Sequence, residues 1–70
     1  MTITITERKI VDSAKLHTVA YDVDGAPKAV MLVDMTKRDA GSTPVEITNY
    51  TDTKDLSDND LVTWITNNIE

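Results

Sequence analysis

A chain of 70 residues with no cysteine and a single histidine has room for one domain. It excludes disulfides, a thiolate zinc site and an imidazole cluster, three common aids to a domain this small. The net charge of -5 is uneven: residues 1–40 balance six acids against six bases, whereas residues 41–70 set six acids against Lys54 alone. The acidic end repels phosphate backbones and favours basic partners.

The longest apolar run, residues 29–33, is far shorter than the ~20 residues that cross a bilayer. No basic stretch precedes an apolar one at the start, so the expectation is a cytoplasmic chain without membrane contact.

Thr2-Ile3-Thr4-Ile5-Thr6 alternates β-branched polar and apolar residues at period two, which predicts a half-buried strand. Ile10-Val11 continues it beyond an irregular Glu7-Arg8-Lys9. Leu16 to Val23 and Lys28 to Met35 flank Asp24-Gly25-Ala26-Pro27, where Gly supplies positive φ and Pro removes a ladder donor, and together they predict a hairpin. Leu16, Val19, Ala20 and Val23 also fit helical spacing after a Ser13 cap, but Thr18, Val19, Tyr21 and Val23 favour the strand.

Residues 36–43 form a polar loop containing Gly41, and Pro44 then opens a short fourth strand over residues 45–50, suited to a sheet edge. The last element carries the clearest local signal. Ser57 is a good N-cap, Asp60 lies at N3, and Leu56 and Leu61 are spaced as a hydrophobic staple. Trp64, Leu61, Ile65, Ile69 and Val62 share an arc of roughly 160° on a helical wheel, which predicts an amphipathic helix of about three turns. The expected fold is α+β: one domain, residues 1–70, with a four-stranded antiparallel meander and one C-terminal helix packed on one face.

Chemistry is sparsely provided for. Ser13, Ser42 or Ser57 with His17 are the only nucleophile and base combinations, and no nucleophile elbow or phosphate-cradling glycine loop surrounds them. Asp22-Val23-Asp24-Gly25 resembles part of a calcium loop, but that alignment puts Ala20 and Met31 where the first and twelfth ligands belong. The expectation is a protein that is not an enzyme and carries no cofactor or metal.

Two features remain. Asp52, Asp55, Asp58 and Asp60 form the densest acidic cluster, readable as helix-dipole complements or as a patch that captures a basic surface. The hairpin is apolar on both faces: Val19, Tyr21, Val23, Val30 and Leu32 on one, Leu16, Ala20, Ala29, Met31, Val33 and Met35 on the other. With a hairpin loop of two or four residues, odd positions of the second strand share a side with even positions of the third; the four-residue case sets His17 opposite Asp34, Val19 opposite Leu32 and Tyr21 opposite Val30.

One helix covers one face, so the other calls for the N-terminal segment, the loop of residues 36–43, a second copy or a partner. The expected function is a small protein-binding or inhibitory accessory module that forms a homodimer. Its contact residues are Asp52, Asp55, Asp58 and Asp60 with Met31, Val33 and Met35. A purely structural oligomer is one alternative; single-stranded nucleic-acid binding by Lys9, Lys15, Lys28, Lys37 and Arg38, with Tyr21 stacking, is another.

Four strands followed by a capped helix bearing Trp64 resembles, in element order, the single-stranded-DNA-binding transcriptional coactivators. That resemblance implies dimerisation through helix and sheet. The sparse basic and aromatic residues and the negative charge depart from a strand-gripping surface, so nucleic acid is not the expected partner.

Overall fold

The computed structural model describes residues 1–38, 40–41 and 43–70; Asp39 and Ser42, one of the serines weighed above, lie outside the described residues. Strands β1 (Ile3–Val11), β2 (Leu16–Val23), β3 (Ala26–Lys37) and β4 (Val45–Thr48) form one antiparallel sheet in the order β1-β2-β3-β4. Two helices follow, α1 (Asn49–Thr53) and α2 (Asp58–Asn68). The α+β class, the meander and the C-terminal helix are as the residue pattern predicts, and residues 16–23 are a strand, not a helix. No described helix is long and apolar enough to cross a membrane.

The hairpin turn is the tighter of the two that the sequence allows. Asp24 (φ 51) and Gly25 (φ 85) are its two central residues, both in the left-handed region as a type I′ turn requires. Val23 therefore pairs with Ala26, and the register runs His17↔Leu32, Val19↔Val30 and Tyr21↔Lys28. Side-chain parity is as expected, but each partner is displaced by two residues and His17 does not face Asp34. Pro27 misleads: placed opposite Asp22, it falls on a non-hydrogen-bonded position of the ladder, so its missing donor costs nothing there.

β1 carries a bulge. Ile5 pairs with Tyr21 and Glu7 with Ala20, so Thr6 is an extra residue without a counterpart. Because successive side chains alternate, one inserted residue reverses the facing of everything after it. Ile3 and Ile5 face the same side as Arg8 and Ile10, whereas Glu7, Lys9 and Val11 turn to the other.

That inner side holds the core. Val19, Tyr21 and Leu32 of the sheet meet Leu61 and Ile65 of α2, all at 2% exposure or less, and Ile3, Ile5, Val23, Val30, Leu56 and Trp64 pack around them. α2 begins where predicted: the Asp60 N–H donates to the Ser57 hydroxyl at 3.2 Å. Its end differs, since Ile69 has left helical geometry and is 42% exposed.

The predicted fourth strand is too long by two residues. Its ladder stops at Asp34↔Thr48, and the chain turns helical at Asn49. Thr48 gives α1 no side-chain cap; instead the Asp34 carboxylate accepts the Thr51 N–H at 3.0 Å and the Thr51 hydroxyl. A residue facing the end of the strand thus satisfies the orphan donors of the helix that follows it.

Replacing Ser57 with Ala should cost about 1 kcal/mol by leaving an N-terminal amide of α2 without its acceptor. Urea denaturation checks it: the midpoint drops with the slope unchanged, and an unaltered midpoint would show that the cap contributes nothing.

Candidate functional site

The bulge delivers a charge to the inner face. Arg8, opposite Val19, reaches beneath the helices with its guanidinium. Its Nε donates to His17 Nε2 at 3.2 Å, Nη1 to the Leu56 carbonyl at 2.8 Å and to Asp58 Oδ1 at 3.1 Å, and Nη2 to the Thr53 carbonyl at 3.3 Å. One side chain of β1 thereby ties together the end of α1, the connecting segment and the start of α2. The Thr53 carbonyl lies at the C-terminus of α1, where a cation is favoured, while Asp34 occupies the other end.

His17 and Thr53 are fully buried polar residues, and their bonds fix a proton. The Thr53 hydroxyl donates to the Asn49 carbonyl at 2.6 Å, which uses its only hydrogen. Its contact with His17 Nδ1 at 3.1 Å must therefore be accepted from an Nδ1–H. The guanidinium can only donate, so His17 Nε2 accepts and carries no proton. The ring is held as the neutral Nδ1–H tautomer, and its pKa is lowered from 6.5, first by burial and then by the Arg8 charge. Both ring nitrogens are engaged, leaving none free to activate a serine.

A second buried group, Tyr50, is 1% exposed and donates its hydroxyl to the Asp12 carboxylate in a 3₁₀ turn between β1 and β2. That hydrogen bond, followed by burial, pushes its pKa up to about 12. The ammonium groups of Lys15 and Lys54 stand 5.8 Å and 5.5 Å from the ring centroid. At the far end of α2, Glu70 accepts from the Tyr21 hydroxyl and from Lys28 Nζ, both at 2.8 Å. Tyr21 and Lys28 are cross-strand partners, so one carboxylate pins the helix end across the hairpin. No buried side-chain nitrogen or oxygen among the described residues lacks a partner.

The residues singled out from sequence separate into two groups. Asp52 in α1, Asp55 in the connection and Asp58 and Asp60 in α2 are all exposed on the helix layer. Asp58 is neutralised by Arg8 and Asp52 accepts the Thr48 hydroxyl at 3.1 Å. Among the described residues Asp52, Asp55 and Asp60 form no ion pair.

Met31, Val33 and Met35 lie on the opposite side of the sheet, where Leu16 faces Val33 and Ile47 faces Met35. Met31 is 65% exposed, Met35 51% and Val45 58%. The acidic group and the apolar group are back to back, separated by the sheet.

Tyr21, named above as a stacking residue, is 2% exposed and presents no ring face to a base. Arg8, Thr53, Tyr50 and Glu70 are contributors that sequence reading did not single out. The bulge that places Arg8 had left a trace, because Ile5 and Ile10 stand on strand positions of opposite parity. No surface pocket is present among the described residues, nor any group of three or more His, Cys, Asp or Glu placed to hold a metal.

These observations define a small α+β meander with its helix layer latched to one sheet face by polar bonds, most of them partly buried, and its other face uncovered among the described residues. Comparison with protein-family models, curated proteins and solved structures gave no match to this chain. The resemblance to single-stranded-DNA-binding coactivators thus rests on element order alone.

The neutral His17 has a pH consequence. An unfolded chain protonates this ring near pH 6.5 while the native ring resists, so the unfolded state binds the extra proton. Stability should be fully present above pH 6.5 and decline as pH falls through the window below it. Asp34 and Glu70, lowered from 3.8 and 4.5, add their losses only at more acid pH. Urea midpoints between pH 8 and pH 5 test this, with His17→Gln expected to flatten the limb below 6.5 whatever its absolute stability. Equal slopes in both proteins would mean that His17 is not held neutral.

Proposed function

We propose that the chain is a non-catalytic protein-binding module, of the accessory or inhibitory kind that occupies a surface on a larger assembly. The observation that carries this reading is the outer face of the sheet, where Leu16, Met31, Val33, Met35, Val45 and Ile47 line up with no element among the described residues packed over them. Met31, Met35 and Val45 are more than half exposed and Leu16, Val33 and Ile47 partly so; large apolar side chains contiguous across three strands are costly to leave in water, and such patches mark interaction sites. Lys9 shares the cross-strand row of Met31 and Lys37 that of Val45, while Glu7 stands one row beyond Lys9 on the same side, so the stripe has a charged rim of both signs. A partner docking there presents an apolar surface with a polar border.

The acidic helix layer supplies a second, separate contact of opposite sign. Asp52, Asp55 and Asp60 retain their charge for a basic surface, with Asp58 already committed to Arg8. Because the two surfaces are back to back, a flat partner engages one of them only.

Met31→Glu/Met35→Glu and Asp52→Asn/Asp55→Asn/Asp60→Asn separate the contacts, and both variants should fold because every substituted residue is exposed. Wild type and variants, immobilised and exposed to extract of the native host, should differ in one retained protein. That protein should be lost from the methionine variant and retained by the amide variant as by wild type; weaker and less salt-dependent retention by the amide variant alone would mark a partner of the acidic layer instead. Equal retention by wild type and methionine variant, or no retained protein at all, would overturn the outer face as the docking surface.

A further inference from the structure

The edges of the sheet are not equally protected. β4 has four residues and follows Pro44. The stretch of β3 left free beyond β4 carries Pro27 and Lys28 at its open end, and its uncharged remainder, residues 29–33, runs directly into the segment already paired with β4. From Thr6 onward, β1 has its bulge and the run Glu7-Arg8-Lys9. Short length, proline, charge and bulges all oppose edge-to-edge pairing. Residues 2–6, Thr-Ile-Thr-Ile-Thr, have none of these.

Which groups face that edge follows from the register. The tight turn makes Val23↔Ala26 a hydrogen-bonded pair, so odd residues of β2 direct their peptide groups to β3 and even ones to β1. Thr4↔Asp22 is then a hydrogen-bonded pair, and one step along, the Asp24 N–H donates to the Thr2 carbonyl at 2.8 Å. Ile3 and Ile5 consequently point N–H and C=O away from the sheet, with no ladder partner among the described residues.

We propose that residues 2–6 are a homodimer edge, on which a second copy lays its own β1 antiparallel about a two-fold axis at Thr4. In this register Ile3 bonds to Ile5 of the partner subunit and Ile5 to Ile3 of the partner subunit, satisfying all their outward groups. Shifting the axis one residue toward Glu7 brings that carboxylate into the pairing, and shifting it the other way leaves the outward groups of Ile5 opposite the end of the strand. On the inner side the half-buried isoleucines meet across the junction and extend the core; on the outer side threonine meets threonine. Two four-stranded meanders become one continuous sheet. The contact is small, so association is weak and concentration-dependent. It is separate from the outer face, and either proposal can fail without the other.

Sedimentation from micromolar to millimolar concentration, with amide exchange read residue by residue, tests it. In a monomer the Thr4 amide is protected by β2 while those of Ile3 and Ile5 exchange freely; in the dimer Ile3 and Ile5 become protected as concentration rises. Thr4→Lys should weaken association by about tenfold or more by opposing like charges at the axis, while the fold persists because Thr4 is exposed and faces Asp22. Ile3→Pro is the second variant: it removes an outward donor and no bond within the chain. Both should abolish protection at Ile5 and keep it at Thr4. A wild type monomeric throughout, association with freely exchanging Ile3 and Ile5 amides, or association that neither variant weakens would each overturn the proposal.

Discussion

The fold depends on one guanidinium being on the wrong side of a strand. An arginine in Glu7-Arg8-Lys9 would ordinarily point to water, and a regular β1 that buries Ile3 and Ile5 would send it there. The bulge at Thr6 brings it under the helices, where it meets two backbone carbonyls, an imidazole and a carboxylate. Burying a charge is costly unless its hydrogen-bonding capacity is met, and here the acceptors come from elements that need something to hold them.

α1 illustrates the dependence. Five residues are too few for a helix to persist by its own propensity. It persists because each end meets a charge of the favourable sign, Asp34 at its amides and Arg8 at its carbonyls, and because Tyr50 and Thr53 are buried. The helix layer is attached to the sheet by polar bonds at its ends and apolar contact between them. Leu61 and Ile65 supply the contact; Arg8 and Glu70 set the position. Hydrophobic burial is non-directional, so the charged groups decide where on the sheet α2 lies.

Much of this architecture is legible in the residues, and the parts that are not share a cause. Alternation in β1 and β2 and the Ser57 cap with its apolar stripe act over a few residues, and they locate elements correctly. The two-faced hairpin is also legible, because parity is the same for a two-residue and a four-residue loop. Register is not: the two loops differ by two residues in pairing, and Pro27 looks like turn chemistry until its ladder position is known. α1 was invisible because its cap is Asp34, a β3 residue brought near only by the sheet, and Tyr50 reads equally well as strand. The acidic segment and the methionines, grouped as one contact by their types, are placed on opposite sides by a parity that composition does not carry.

The bulge also fixes how this chain tolerates change. A point substitution in β1 alters one side chain, whereas losing or gaining one residue between Ile5 and Arg8 exchanges the two faces of everything on one side of it. Deleting Thr6 would restore a regular strand, and that strand could bury Ile3 and Ile5 or keep Arg8 beneath the helices, but not both. The segment is therefore a counting device. Its length is under tighter constraint than its composition, and lineages carrying this fold should show varied residues at Thr6 but not a gap.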